Sequence, residues 1–213
     1  MAHLDVPQAA WAAVGEALPA RLRGLLPDDI RVTDVAPAPA GFDARFSAVW
    51  RRYTYRLCDH PAGADPLRRR DVVATRRRLD VAAMNDAATP LLGEHDFVAF
   101  CRPRAGASTV RALLELDWQR TGELVVGQVR ADAFCHHMVR ALAGAMVSVG
   151  EGRRPVSWPG DLLRAAARDS SVVVLPAHGL VLEEVGYPPA AELAARAQRA
   201  RRFRGETHAS PPR

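Results

Sequence analysis

The stretch Asp132-Ala-Phe-Cys-His-His-Met-Val-Arg-Ala-Leu-Ala-Gly-Ala-Met-Val-Ser-Val-Gly150 decides the fold, because the chain changes there from strand to helix. The preceding residues 124–131 form a short apolar run typical of a strand. After Asp132 the apolar residues recur at helical spacing, and Gly150 is a suitable helix end. The pattern predicts a buried helix that starts near Phe134.

This predicted helix carries a cation, Arg140, close to its beginning. His136 lies four residues earlier, so the two side chains are predicted to share one helix face. A permanent charge on an apolar helix requires a negative partner. The sequence therefore raises the question of which anion pairs with Arg140.

Composition places the chain among soluble globular proteins with a basic balance. It has 213 residues, 48% of them hydrophobic, a formal charge of +5 and a pI near 9.8. All 29 basic residues are arginines, which suit phosphate and base contacts but can equally reflect codon usage. Basicity alone favours nucleic acid only weakly.

Cysteine usage and hydropathy indicate the compartment. Cys58, Cys101 and Cys135 are odd in number and far apart, which predicts neither a disulfide framework nor a zinc knuckle. The sequence shows no secretory leader and no apolar run of membrane-spanning length. We expect a soluble cytoplasmic protein.

The remaining pattern predicts an α+β fold with a largely antiparallel sheet flanked by helices. A Gly-containing turn at 119–123 joins two strand-like runs and indicates a hairpin. The other predicted elements are helices over 7–18, 80–92 and 159–167, a short strand within 26–35, a strand from Trp50 to Leu57 and a last strand after Pro176.

The strand from Trp50 alternates between two faces. Arg52 lies on one face, whereas Arg51, Tyr53 and Tyr55 lie on the other. The pattern fits a strand between RNA and a pocket, or an ordinary half-buried strand with a polar outer face. The triplets 68–70 and 76–78 are either solvated arginines or a phosphate-contacting rim.

The His136-His137 pair does not predict a metal site. Adjacent helical residues point about 100° apart, whereas two ligands of one metal need i,i+4 spacing or a turn. The same geometry argues against a nucleophile pair of Cys135 with His136. Composition and periodicity alone therefore identify a basic α+β protein but no specific function.

Five blocks, in order, resemble the TruA-type tRNA pseudouridine synthases. They are Phe42-Asp-Ala-Arg-Phe-Ser-Ala48 with Arg51-Arg-Tyr-Thr-Tyr-Arg56, Leu91-Leu-Gly-Glu-His-Asp-Phe97, Ala131-Asp-Ala-Phe-Cys-His-His-Met-Val-Arg140 with Gly144, Pro176-Ala-His-Gly-Leu180, and Tyr187-Pro188. The resemblance extends over about residues 2–188. It implies a cofactor-free isomerase, a homodimer when full length, that converts uridine to pseudouridine at positions 38–40 of the tRNA anticodon stem-loop.

The resemblance also assigns roles to residues. Tyr53 matches the tyrosine that stacks on the target base, and Arg140 matches the arginine that pairs with the catalytic aspartate. The expected RNA contacts are Arg51, Arg52, Arg68, Arg69, Arg70, His136 and His137. The implied domains are residues 1–45 and 46–190, followed by an Ala/Arg-rich tail over 191–213 that is frayed or disordered.

The sequence departs from the family pattern at the catalytic aspartate. The family's aspartate lies in a Gly-Arg-Thr-Asp-Ala-Gly-Val-His motif, which these 213 residues lack. Asp5, Asp43 and Asp132 occupy other places in the family pattern and do not replace it. Three expectations remain open: an enzyme whose assigned start is too late, an inactive tRNA-binding module, or a fragment with an open sheet edge that folds poorly.

Overall fold

The computed structural model describes residues 1–102, 104 and 106–206, with side chains up to residue 201. Two units are distinguished: Met1–Ser47 with Pro188–Arg201, and a main unit that contains Ala48–Tyr187. The helices are α1 (Gln8–Val14), α2 (Leu18–Leu25), α3 (Val81–Ala88), α4 (Met138–Gly150), α5 (Trp158–Ala165) and α6 (Leu193–Glu206). The strands are β1 (Trp50–Cys58), β2 (Val73–Ala74), β3 (Gly93–Asp96), β4 (Val110–Thr121), β5 (Leu124–Ala131) and β6 (Leu180–Gly186).

The six strands of the main unit form one sheet in the order β2-β1-β5-β4-β3, with β6 also paired to β1. Every pairing is antiparallel except the short β1–β2 pair. The predicted α+β class and its largely antiparallel sheet are confirmed. None of the described helices is both long and apolar enough to cross a membrane.

The predicted hairpin is confirmed as β4 and β5. Its turn contains Gly122 with φ 59°, a left-handed conformation that glycine adopts without the steric cost of a Cβ. The predicted alternation in β1 is also confirmed. Tyr55 and Leu57 are fully buried in the core, whereas Arg52 and Arg56 pair with Glu184 and Glu183 of β6.

Helix α4 is the buried helix that the sequence predicts, but it begins later. It starts at Met138 and is preceded by His137 with φ 71°, so Phe134 and His136 lie in a loop. The predicted shared helix face of His136 and Arg140 is therefore wrong. The apolar spacing continued back to Phe134 because that side chain packs on the core from the loop.

Two further predictions are corrected. The helix expected over 7–18 ends early, at Val14 of α1, and a separate helix α2 begins at Leu18; the segment 26–35 contains no strand. A strand needs a hydrogen-bonded neighbouring strand, and the described residues offer none to the segment 26–35. The absence of a disulfide, which the cysteine spacing predicts, is corrected as well. Cys101 and Cys135, with Cα atoms 5.8 Å apart, are joined as a disulfide, while Cys58 is free and buried.

In the smaller unit, Asp43 organises the chain before β1. Its carboxylate accepts hydrogen bonds from the main-chain nitrogens of Arg45 and Phe46 and from Arg201. The Phe46 hydrogen bond, with the others, lowers the pKa of Asp43 to about 2. The side chain is therefore a structural anion, as its place outside the family's catalytic motif predicts.

Helix α3 completes the edge of β4 that the short strand β3 leaves uncovered. Asp80 caps this helix by accepting from Ala83. Asn85 then donates to the main-chain oxygen of Trp118 at 2.9 Å and accepts from its nitrogen at 2.8 Å. The amide thereby satisfies two strand groups that would otherwise lack partners.

Asp59 anchors the residues that lead into α3. It is 3% exposed, and both of its oxygens accept from the Arg120 guanidinium, at 2.8 and 2.7 Å. The main-chain nitrogen of Leu79 donates to it as well, at 2.8 Å. The Arg120 hydrogen bonds, first among these contacts, lower the pKa of Asp59 to about 2.

We expect Asp59→Asn to lower the free energy of unfolding by about 3 kcal/mol at pH 7, because it leaves Arg120 without its buried partner. The pKa of Asp59 is lower in the folded state, so its contribution is complete above about pH 4 and is lost as the pH falls towards 2. Urea unfolding at pH 7 and pH 3 measures both effects. Asp161→Asn, at an exposed ion pair, is the control; equal losses in the two variants would contradict the assignment.

Candidate active site

Tyr53 and the loop that precedes α4 are held together in the main unit. The Tyr53 ring packs edge-on against Phe134, with ring centroids 5.2 Å apart. Arg51 Nη1 donates to the main-chain oxygen of Asp132 at 2.8 Å, and Asp132 Oδ1 accepts from the nitrogen of Ala112. The loop thus fixes the ring of Tyr53, which remains only half-buried.

The Tyr53 hydroxyl is expected to stay protonated. Burial raises the pKa of Tyr53, and the charge of Arg51 opposes that rise only in part. A neutral phenol on a fixed, half-buried ring can stack on a base. This matches the role that the resemblance implies, which stays a prediction.

The residues 173–176, here called the crossing segment, connect Arg140 with β1. Leu175 donates its N–H to the main-chain oxygen of Arg140 at 3.2 Å, and Arg140 Nε donates back to the oxygen of Leu175. Tyr55, two residues after Tyr53 on the same face of β1, donates its hydroxyl to the oxygen of Pro176 at 2.6 Å. Adjacent carbonyl groups therefore hold Arg140 and Tyr55.

Electrostatics agree with this proximity. Burial raises the pKa of Tyr55, and the positive charge of Arg140 acts in the opposite direction. The phenol consequently remains a hydrogen-bond donor to Pro176 at neutral pH. The structure brings Arg140 and β1 together through hydrogen bonds that periodicity did not indicate.

Gly144 permits the crossing segment to lie directly on α4. A Cβ at this position would overlap the main-chain oxygen of Val173 and would be 2.9 Å from its carbonyl carbon. Real Cβ atoms do not approach backbone so closely, so a larger residue would displace the segment. Gly144 is therefore required for the contact between Leu175 and Arg140.

Arg140 is half-buried, and its charge is not compensated within the described part of the chain. No carboxylate described lies within ion-pair distance, and its terminal Nη atoms have no hydrogen-bond partner there. Because Nε is fixed by Leu175, the Nη atoms have a defined direction. Such a fork can bind a carboxylate or a phosphate through paired hydrogen bonds.

The other arginines predicted to contact RNA have different environments. Arg52 is paired with Glu184 at 2.7 Å, and Arg68 with Asp71 at 2.5 Å. Arg69 donates to the main-chain oxygen of Pro66, and Arg70 is exposed. These three triplet residues follow the Cys58 end of β1, towards β2. The contact of all four arginines with RNA stays a prediction. In Arg52 and Arg68 the positive charge is already paired with a carboxylate.

The two predicted histidines lie immediately before α4. His136 is exposed, and its main-chain oxygen accepts from the nitrogen of Arg102 at 2.8 Å. His137 is half-buried, and burial, followed by the charges of His136 and the nearby arginines, lowers its pKa. It is therefore neutral at pH 7. The described residues contain no cluster of three His, Cys, Asp or Glu side chains that could hold a metal ion.

Several residues of this site were missed by reasoning from pattern. The resemblance blocks contain Phe134, Gly144 and Pro176, but they do not indicate what these residues contact. Tyr55 was recognised only as a residue on the same strand face as Tyr53. Nothing in the sequence pointed to Leu175, because its function depends on a carbonyl group that any residue has.

Comparison with known proteins shows extensive similarity. The family described as tRNA pseudouridine synthase matches residues 87–188. The chain is 56% identical over 207 residues to tRNA pseudouridine synthase A of Streptomyces griseus, covering 96% of this chain and 72% of that protein. The tRNA pseudouridine synthase A of Frankia casuarinae is 56% identical, with coverages of 96% and 74%. That of Mycobacterium leprae is 48% identical, with coverages of 92% and 73%.

We expect Gly144→Ala to lower the free energy of unfolding by about 1–3 kcal/mol, because the added methyl group displaces the crossing segment. Urea unfolding measures the change. Gly24→Ala is the matched control, since Gly24 is also helical but has no atom within 4 Å of the added Cβ. That substitution is expected to be neutral or stabilising. Equal stability of Gly144→Ala and the unmodified protein would contradict the close approach.

Proposed function

The chain belongs to the tRNA pseudouridine synthase family, and we propose that it isomerises uridine to pseudouridine at positions 38–40 of the tRNA anticodon stem-loop. The observation that carries the proposal is the arrangement of Tyr53 and Arg140 in the main unit. A ring suited to stacking and an uncompensated guanidinium are both fixed by their neighbours. The proposed protein is an isomerase that needs no cofactor.

Each residue has a separate task in the proposed reaction. The target uridine leaves the helical stack, and the half-buried ring of Tyr53 offsets part of the cost of unstacking. Arg140 binds the carboxylate of the family's catalytic aspartate, keeping it ionised and oriented towards the nucleotide. The uracil is detached from the ribose, turned, and rejoined through carbon, so the product has the same atoms as the substrate.

The aspartate motif of the family does not occur in the 213 residues. This observation supports a second candidate function, a tRNA-binding protein without isomerase activity. The two candidates differ in one measurement: pseudouridine formed in a tRNA anticodon stem-loop. The assay compares the 213-residue chain with a chain extended by any in-frame sequence encoded upstream of Met1.

Pseudouridine from either protein supports the isomerase, provided that replacing the uridines at positions 38–40 with cytidine abolishes it. Product from the extended chain alone would assign the catalytic aspartate to the added sequence. Salt-dependent tRNA binding without product from both proteins would favour the binding function. We further propose a cytoplasmic homodimer; a monomeric mass in light scattering of the extended chain would contradict the dimer.

In the active protein, we expect Arg140→Ala to reduce kcat/KM by about 100-fold or more, because it leaves the catalytic carboxylate without a buried charge partner, at a cost of about 3–5 kcal/mol. Single-turnover kinetics measure the effect. Arg140→Lys keeps the charge without the planar fork and should recover only part of the rate. Wild-type activity of Arg140→Ala would refute the pairing.

The role of Tyr53 is tested by two substitutions at the same position. Tyr53→Phe keeps the ring and is expected to retain most activity, whereas Tyr53→Ala removes the stacking surface, which contributes about 1–3 kcal/mol. Product formation and stem-loop affinity are measured for both variants. Equal losses would assign the effect to the hydroxyl group instead of the ring.

A further inference from the structure

A cleft of about 420 Å³ lies beside Arg140 in the main unit. One wall is the segment 99–102, the second is the first turn of α4, and the third is the segment 168–174. Val174 lines the cleft, and the next residue, Leu175, is hydrogen-bonded to Arg140. The cleft therefore adjoins the candidate active site without containing Tyr53 or the guanidinium of Arg140.

The cleft has an excess of positive charge. Arg102 and Arg168 line it from opposite segments, and neither has a carboxylate within ion-pair distance among the described residues. Eight other arginines of the main unit do have such partners, whereas Arg69, Arg70, Arg76, Arg77, Arg111 and Arg154 also have none among the described residues. Those paired with carboxylates are Arg52, Arg56, Arg68, Arg78, Arg120, Arg130, Arg153 and Arg164.

Asp169 is the acidic side chain among the described residues of the cleft, and it is hydrogen-bonded within its own segment. Asp169 accepts from the main-chain nitrogen of Ser171 at 2.7 Å, and the Ser171 side chain, its first influence, also lowers the pKa of Asp169. It therefore stays charged and offsets part of the positive charge. The two arginines still leave a net excess of one positive charge in the cleft.

The third basic residue, His137, contributes as a neutral group. Burial lowers its pKa first, and the charges of His136, Arg140, Arg102 and Arg168 lower it further. A neutral imidazole in this position can donate one hydrogen bond to an oxygen ligand.

From this cavity and its charges we infer that the cleft binds a backbone phosphate of the substrate tRNA next to the target nucleotide. Two guanidinium groups and an imidazole match the oxygens of a phosphate diester, and arginine is suited to phosphate by its planar fork. The inference rests on the proposed tRNA substrate. It assigns Arg102 and Arg168 to the holding of the strand while Tyr53 holds the base.

The test compares the double variant Arg102→Gln/Arg168→Gln with Arg153→Gln/Arg164→Gln. Both variants lose two positive charges from exposed arginines, but the control residues are paired with Glu151 and Asp161. The dissociation constant of a tRNA anticodon stem-loop is measured over a salt series. The cleft variant is expected to bind about 10-fold more weakly at low salt, with a salt slope smaller by about 0.7–0.9 for each phosphate that is no longer neutralised.

The control variant should keep the wild-type slope, and Arg102→Lys/Arg168→Lys should recover it, because lysine retains the charge. Equal slopes for the cleft variant and the control would overturn the inference, as would absence of stem-loop binding by the wild type. A reduced slope in the cleft variant, together with no pseudouridine from either the 213-residue chain or the extended chain, would leave the inference standing and reject the isomerase function. Thermal unfolding confirms that each variant is folded.

A second measurement distinguishes RNA from a small phosphate ligand. Inorganic phosphate is titrated into the wild type and the cleft variant by calorimetry. For an RNA site, we expect phosphate to bind at most weakly and to compete with the stem-loop. Tight binding of phosphate that depends on Arg102 and Arg168 but leaves stem-loop affinity unchanged would identify a site for a free anion and overturn the inference.

Discussion

The close approach of the crossing segment to α4 is the constraint on which the site depends. Because Gly144 has no side chain, the carbonyl of Val173 occupies the space where a Cβ would lie. Further along the segment, the carbonyl groups of Leu175 and Pro176 accept from Arg140 and Tyr55. One missing methyl group therefore determines both the direction of a guanidinium and the position of a buried phenol on β1.

Charge compensation distinguishes Arg120 from Arg140. Arg120 and Asp59 form a bidentate ion pair at a buried carboxylate. This geometry is expected where an ion pair stabilises the fold. The described partner of the Arg140 guanidinium is a carbonyl, which fixes its orientation without neutralising its charge. A guanidinium that is oriented but not neutralised retains its affinity for an incoming anion.

Periodicity predicted the elements that have a long apolar pattern. Strand β1 and the β4–β5 hairpin were recognised, and so was the body of α4, in which every residue except Arg140 is buried. The start of α4 was misplaced because Phe134 is apolar and lies at helical spacing, although its contact with the core comes from a loop. The candidate site was predictable only in part, for a related reason. Tyr53 and Arg140 were identified through resemblance, whereas the groups that orient Arg140 are a main-chain carbonyl and the empty volume at Gly144, and neither depends on a recognisable side chain.

The uncompensated charges also determine how two anions could lie close together at the site. Arg102 and Arg168 lie in the cleft beside Arg140, so a phosphate in the cleft and a carboxylate at Arg140 would each reduce the local positive potential. An aspartate bound to Arg140 is itself negative and would repel the phosphates of RNA at short range. On the proposed function, the two cleft arginines would counter that repulsion, since their charge is not neutralised by the aspartate. Separate arginines for the carboxylate and the phosphate would then allow an ionised catalytic group and a polyanionic substrate to occupy neighbouring positions.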